Sequence, residues 1–103
     1  MTSTRREKLE AMLANDPADQ MLRYMLAMEL QKEDAHDRSL ELFDGLMNDD
    51  TPHVASFLMA GQQLAQLGRI DEARATYQKG IEQANLQGDD HPAGEMGQFM
   101  MEL

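Results

Sequence analysis

Residues 68–84 read GRIDEARATYQKGIEQA. On a helical spiral, Ala73, Tyr77, Gly80 and Ala84 fall on one face, at steps of four, three and four. Three of these four side chains are among the smallest available. A helix that only had to cover a core would carry Leu or Ile at such positions. A stripe this thin, built around a single ring, calls for backbones that approach closely, and the rest of the chain has to supply them.

The chain has 103 residues, enough for one domain. A domain of this size buries roughly 60–70% of its unfolded surface, so a core without cross-links is feasible. There is no cysteine, which removes disulfides, thiolate metal sites and thiol nucleophiles together. Nineteen acidic against nine basic residues give a net charge of −10. That balance opposes phosphate backbones, so no nucleic-acid partner is expected, and it favours basic partners. The opening MTSTRREKLEAML holds no apolar run of the signal type, and no stretch approaches the ~20 apolar residues of a membrane span. No membrane association and a cytoplasmic location are the expectation. Aromatics are scarce at 5%, whereas methionine numbers ten. Methionine is flexible, polarizable filler, suited to plastic cores and adaptable binding faces.

Apolar spacing predicts an all-α chain of six helices and no strand. TRREKLEAMLAND carries Leu9, Met12 and Leu13 and stops at Asp16-Pro17. ADQMLRYMLAMELQKE follows, then HDRSLELFDGLMND with Leu40, Phe43, Leu46 and Met47 as its stripe. TPHVASFLMAGQQLAQLG starts with Thr51 as a capping acceptor and Pro52 at the first helical position, and Gly68 suits its C-terminal end. The opening stretch is the fifth helix, over about 70–87. After the turn-rich QGDDHP, AGEMGQFMMEL is a weaker sixth, because Gly94 and Gly97 each cost ~1 kcal/mol relative to Ala. The short loops favour antiparallel neighbours.

A shift of 34 residues brings the chain onto itself. Tyr77 falls on Phe43, Ala73 on Ser39, Gly61 on Ala27 and Leu64 on Leu30. Ring meets ring and small residue meets small residue. The chain therefore reads as a duplicated helix–turn–helix.

The period and its pattern resemble the tetratricopeptide repeat family, in the form of a small bacterial-type domain. One repeat reads Phe57-x₂-Ala60-Gly61-x₂-Leu64, then Ala73-x₃-Tyr77, then Asn85. The other, more divergent, reads Arg23-x₂-Leu26-Ala27-x₂-Leu30, then Ser39-x₃-Phe43, then Thr51. The chain departs from the family pattern in having no Trp, in placing Arg23 in an aromatic slot, and in carrying Asn85 and Thr51 where proline is usual. The resemblance implies an antiparallel α–α superhelix in a single domain over 1–103. Its parts are a half-repeat helix over 4–15, repeats over 18–51 and 52–87, and a C-terminal capping helix over 91–103. Such stacking accounts for the thin stripe: a second helix wedged between two neighbours needs small residues on its contact faces. Met96, Phe99, Met100 and Leu103 match Phe57, Ala60, Gly61 and Leu64 at a shift of 39, like a first helix displaced by a longer turn. Met100 in the small-residue slot marks a closing cap.

QMLRYMLAMELQK over 20–32 carries two apolar stripes, one through Leu22, Leu26 and Leu30 and one through Met21, Tyr24, Met25 and Met28. A helix apolar on more than one side is either buried or meets a partner. In the family, first helices line a concave groove for extended or helical peptides. The resemblance implies a groove surface of Met21, Tyr24, Met28 and Gln31, with Ala55, Leu58, Gln62 and Ala65 as counterparts. That groove is apolar, rich in Met and rimmed by acidic residues, so the implied partner is a hydrophobic or amphipathic segment with basic flanks. Family members that grip a C-terminal carboxylate use Lys and Asn where Tyr24, Leu58, Met28 and Gln62 stand here, so that specificity is not implied. Alternatives are core packing or a homodimer through the Met-rich face. A metal-dependent enzyme built on Glu29, Glu33 and His36 is a distant third, since the E-x-x-H spacing lacks a second copy and falls in the inter-helix turn. His53 and His91 show no paired-ligand spacing. No phosphate loop, nucleophile elbow or calcium loop is present, so no catalysis and no cofactor are expected.

Overall fold

A computed structural model describes residues 4–103. Six helices and no strand occur among them: α1 (Arg5–Asn15), α2 (Gln20–Lys32), α3 (His36–Met47), α4 (Val54–Gln66), α5 (Ile70–Leu86) and α6 (Asp90–Met101). None is long and apolar enough to cross a membrane. The helices fall into two compact units, one ending at Asp49 and one running from Asp50 to Leu103.

In the first unit, Thr4 and Asp19 start their helices by accepting from Glu7 and Leu22 backbone N–H groups at 3.1 and 2.8 Å. Leu9 of α1 packs with Leu26 and Leu30 of α2, with Leu13, Leu22, Met25, Ala35 and Leu42 around them. Phe43, Leu46, Ala27 and Ser39 are fully buried, and the Ser39 hydroxyl donates to the Ala27 carbonyl at 2.7 Å. That bond satisfies a polar group sealed between two helix backbones. Charge ties α1 to its neighbours. Arg6 pairs with Glu33 and Glu10, Arg38 with Glu10, and Arg5 with Glu29. The hydrogen bond from Arg38 is the largest cause holding the Glu10 carboxyl below its ordinary pKa.

Arg23, which stands in the family's aromatic slot, spans from α2 to Asp49 just beyond α3. Its guanidinium reaches both Asp49 oxygens, and Gln20 Nε2 donates to the same carboxylate at 2.9 Å. A fork of donors on a planar carboxylate holds the end of the hairpin, where a ring would hold it by packing alone. Asp49 therefore works as an acceptor for α2.

The second unit is built on the stripe quoted at the outset. Ala73 and Ala84 are fully buried and Tyr77 is 1% exposed. A β-carbon placed on Gly61 of α4 would lie 2.3 Å from Tyr77 Cε1. One placed on Gly80 of α5 would lie 2.5 Å from both Phe57 Cβ of α4 and Met96 Sδ of α6. So the backbone of α5 at Gly80 meets side chains of α4 and α6 directly, as the backbone of α4 at Gly61 meets the Tyr77 ring, and the thin stripe is what permits it.

The turns repeat as the helices do. Asp34 and Gly68, 34 positions apart, both take positive φ, at 59° and 79°. The next residue in each turn, Ala35 or Arg69, donates its backbone N–H to the carbonyl five residues back, Leu30 or Leu64, at 2.9 Å. This is the paired-carbonyl closure that ends a helix at a left-handed residue. Gly88, at φ 72°, ends α5 in the same way, with Asp89 N–H donating to Ala84 at 2.7 Å.

Two details differ from the sequence reading. Helix α4 begins at Val54 with His53 at its cap, so Pro52 lies outside it. His53 Nδ1 and Ser56 Oγ are 2.8 Å apart, and the Pro52 carbonyl accepts from Gln87 Nε2 at 3.0 Å, which draws that residue toward the end of α5. The displacement of α6 comes from helix length and not from a longer turn. Helix α5 has 17 residues against 12 in α3, while QGDDHP splits between a three-residue turn and the first turn of α6.

Candidate binding surface

On α2, Met21, Tyr24, Met28 and Gln31 share one face at helical spacing, opposite buried Leu26 and Leu30. Met21 is 60% exposed and the other three are half-buried. Tyr24 meets Phe43 edge-on, with ring centroids 6.1 Å apart and planes at 62°. Burial raises its hydroxyl pKa. Its ring is thus anchored on the hairpin's own core while part of its surface stays open.

On α4, Ala55, Leu58, Gln62 and Ala65 form the corresponding face, all half-buried. Phe57, Ala60, Gly61 and Leu64 take the core side, so the exposed remainder is a narrow band of mixed polarity. Beside it opens a cleft of about 320 Å³, lined by Gln62, Ala65 and Gln66 of α4, Tyr77 of α5, Phe99 of α6, and Glu102 and Leu103 after it. Tyr77 and Phe99 stack, with centroids 6.3 Å apart and planes at 17°. Burial pushes the Tyr77 hydroxyl above its ordinary pKa, and the negative charge of Glu102 pushes the same way.

Two of the eight expected groove residues, Gln62 and Ala65, therefore line a cleft. Sequence reasoning did not associate Tyr77, Phe99 and Glu102 with them. Tyr77 is legible as the ring of the stripe, and Phe99 is conspicuous as an aromatic aligned with Ala60. Only the α5–α6 turn brings Phe99 and Glu102 beside that ring.

The residues considered for a metal lead elsewhere. Glu29 pairs with Arg5 and lies 3.9 Å from Lys32, and Glu33 pairs with Arg6. His36 lies 3.6 Å from Asp34 across the turn. Among the described residues no three His, Asp or Glu side chains converge as a metal site.

Solved structures of like fold include two from Salinibacter ruber, each described as a tetratricopeptide repeat domain protein. The solution structure is 34% identical, covers 84% of this chain and 87% of its own, and has a TM-score of 0.78. The crystal structure is 33% identical over 82% and 94%, with a TM-score of 0.74. A Bordetella parapertussis protein shares the fold at 24% identity, over 98% of this chain and 88% of its own, with a TM-score of 0.81. No family model and no curated protein sequence matches the chain.

Proposed function

From the premise that the chain belongs to the tetratricopeptide repeat family, we propose that it is a protein-interaction module that binds an apolar or amphipathic segment of another protein. The α2 face of Met21, Tyr24, Met28 and Gln31 and the α4 face of Ala55, Leu58, Gln62 and Ala65 are the contact residues. The observation that carries this reading is that both faces stay partly open on helices whose opposite sides are buried. Each presents adaptable apolar surface without exposing a large patch. The acidic excess selects partners with basic flanks and discriminates against acidic ones.

The test is affinity capture from the native host's lysate at two salt concentrations, comparing wild type with Met28→Glu and Leu58→Glu. Burying an unpaired carboxylate against an apolar segment costs at least ~2 kcal/mol, so capture should fall by roughly 30-fold or more. Helical content is checked in parallel. A folded Leu58→Glu protein that captures its partner at the wild-type level refutes the assignment of α4.

Exposed Met21, at 60%, favours a second reading, a homodimer through the Met-rich face of α2. Sedimentation at micromolar concentration decides it, since a strict monomer removes this option.

A further inference from the structure

The interaction reading leaves one buried polar group without a role. Tyr77 is 1% exposed, yet its hydroxyl makes no hydrogen bond with any described residue. It is also not sealed from solvent as the Arg23 Nε atom is. Its ring edge rests on Gly61 and its face on Phe99. The hydroxyl end therefore opens into the cleft that Tyr77 lines with Glu102. A group held this firmly, with its polar tip unspent, is preorganised to meet a ligand.

Its neighbours set the sign of that ligand. Glu102 is exposed and makes no ion pair with a described residue, whereas Arg69 and Arg74 are engaged by Glu72 and Asp71. The side-chain amides of Gln62 and Gln66 add acceptor oxygens at the rim. From Asp50 onward there are eight acidic residues against three of Lys and Arg, so the surrounding field also attracts cations. An anion would be repelled by Glu102, and a purely apolar group would strand both the carboxylate and the hydroxyl.

We propose, on the footing that the chain binds a partner segment, that this cleft receives an arginine side chain of that segment. Its guanidinium is held by the Glu102 carboxylate and the Tyr77 hydroxyl, and its stem lies on Phe99. Arginine fits better than lysine because several acceptors are spread around the cleft and an aromatic surface is present. A planar fork of five donors can serve the former and stack on the latter, while a compact ammonium does less of each. A volume of about 320 Å³ is at the low end for a ligand site and suits one long side chain.

The test is an amide-resolved NMR titration of the full chain with N-acetyl-arginine methylamide, N-acetyl-citrulline methylamide and N-acetyl-lysine methylamide. Citrulline keeps the shape of arginine and removes its charge. The arginine probe should shift Gln62, Ala65, Phe99 and Glu102 saturably, and bind about tenfold tighter than citrulline. Glu102→Gln, an exposed change that leaves the fold intact, should weaken it three- to tenfold, and Tyr77→Phe should weaken it less. Equal binding of the citrulline probe, a lysine probe that binds more tightly, or an indifferent Glu102→Gln protein overturns the assignment. Lysate capture separates this from the broader reading. If Leu58→Glu loses the partner while Glu102→Gln retains it in full, the interaction face stands and the arginine cleft does not.

Discussion

Gly61→Ala adds one methyl group where the structure has no space for it. The new β-carbon would stand 2.3 Å from Tyr77 Cε1 and 2.7 Å from Cδ1 and Cζ. Carbon atoms prefer about 3.5–4.0 Å, so ring and helix must separate by more than ~1 Å. The obstacle is the edge of a rigid ring whose face stacks on Phe99, not the end of a flexible chain. Overpacking of this kind costs ~1–3 kcal/mol. Alanine's greater helix propensity returns about 1 kcal/mol. The expected net loss is therefore about 0–2 kcal/mol, or a melting temperature lower by up to roughly 15 °C for a domain of this size. Gly94, whose β-carbon would meet nothing within 4 Å, is the internal control. Gly94→Ala should gain about 0.5–1 kcal/mol from propensity alone. Thermal and urea unfolding followed by helical ellipticity measure both. A Tyr77→Ala background closes the cycle, because without the ring Gly61→Ala should become neutral or stabilising. A Gly61→Ala protein that melts above wild type, or one that gains as much as Gly94→Ala, refutes the claim that close helix approach sets this packing.

Two further outcomes follow from other features. Asp34→Gly should raise stability by about 0.5–1 kcal/mol in urea unfolding, because Asp34 sits at φ 59° and glycine occupies that region without a β-carbon penalty. Its contact with His36 is little loss, as the Asp34 carboxylate is almost fully exposed. In a Tyr24→Phe background, spectrophotometric titration should find Tyr77 ionising above 10.0, with burial the larger cause and Glu102 the smaller. A raised folded-state pKa means that this group's stabilisation is complete below the unfolded value and is lost as pH climbs through the folded one. Alkaline unfolding should accordingly set in above about pH 10, and Glu102→Gln should lower the Tyr77 pKa only part of the way. A Tyr77 that titrates normally would remove the buried-hydroxyl premise.

The helices and their close contacts were legible because they rest on short-range spacing. Ala73, Tyr77 and Gly61 could be assigned from a period of 34, since residues alike at that interval meet like neighbours. The Arg23–Asp49 pair was not legible. Its members are 26 positions apart, and only the folded hairpin brings them together. The start of α4 was misplaced because Pro52 satisfies the local preference for a first helical position, while the Gln87 amide claims its carbonyl from the far end of α5. The cleft was half legible. Gln62 and Ala65 follow from the repeat, but Phe99 and Glu102 join them only through the α5–α6 turn, and no local spacing relates the end of α6 to the face of α4.

The three corners of the chain at Asp34, Gly68 and Gly88 are fastened by main-chain atoms, with a single residue in each bending to the left. A joint of that construction asks almost nothing of the side chains around it. Rods of different length can be fitted to it without redesigning the bend, as the longer α5 already demonstrates. Growth or divergence of such a chain can therefore proceed by altering the rods while the hinges between them are inherited unchanged.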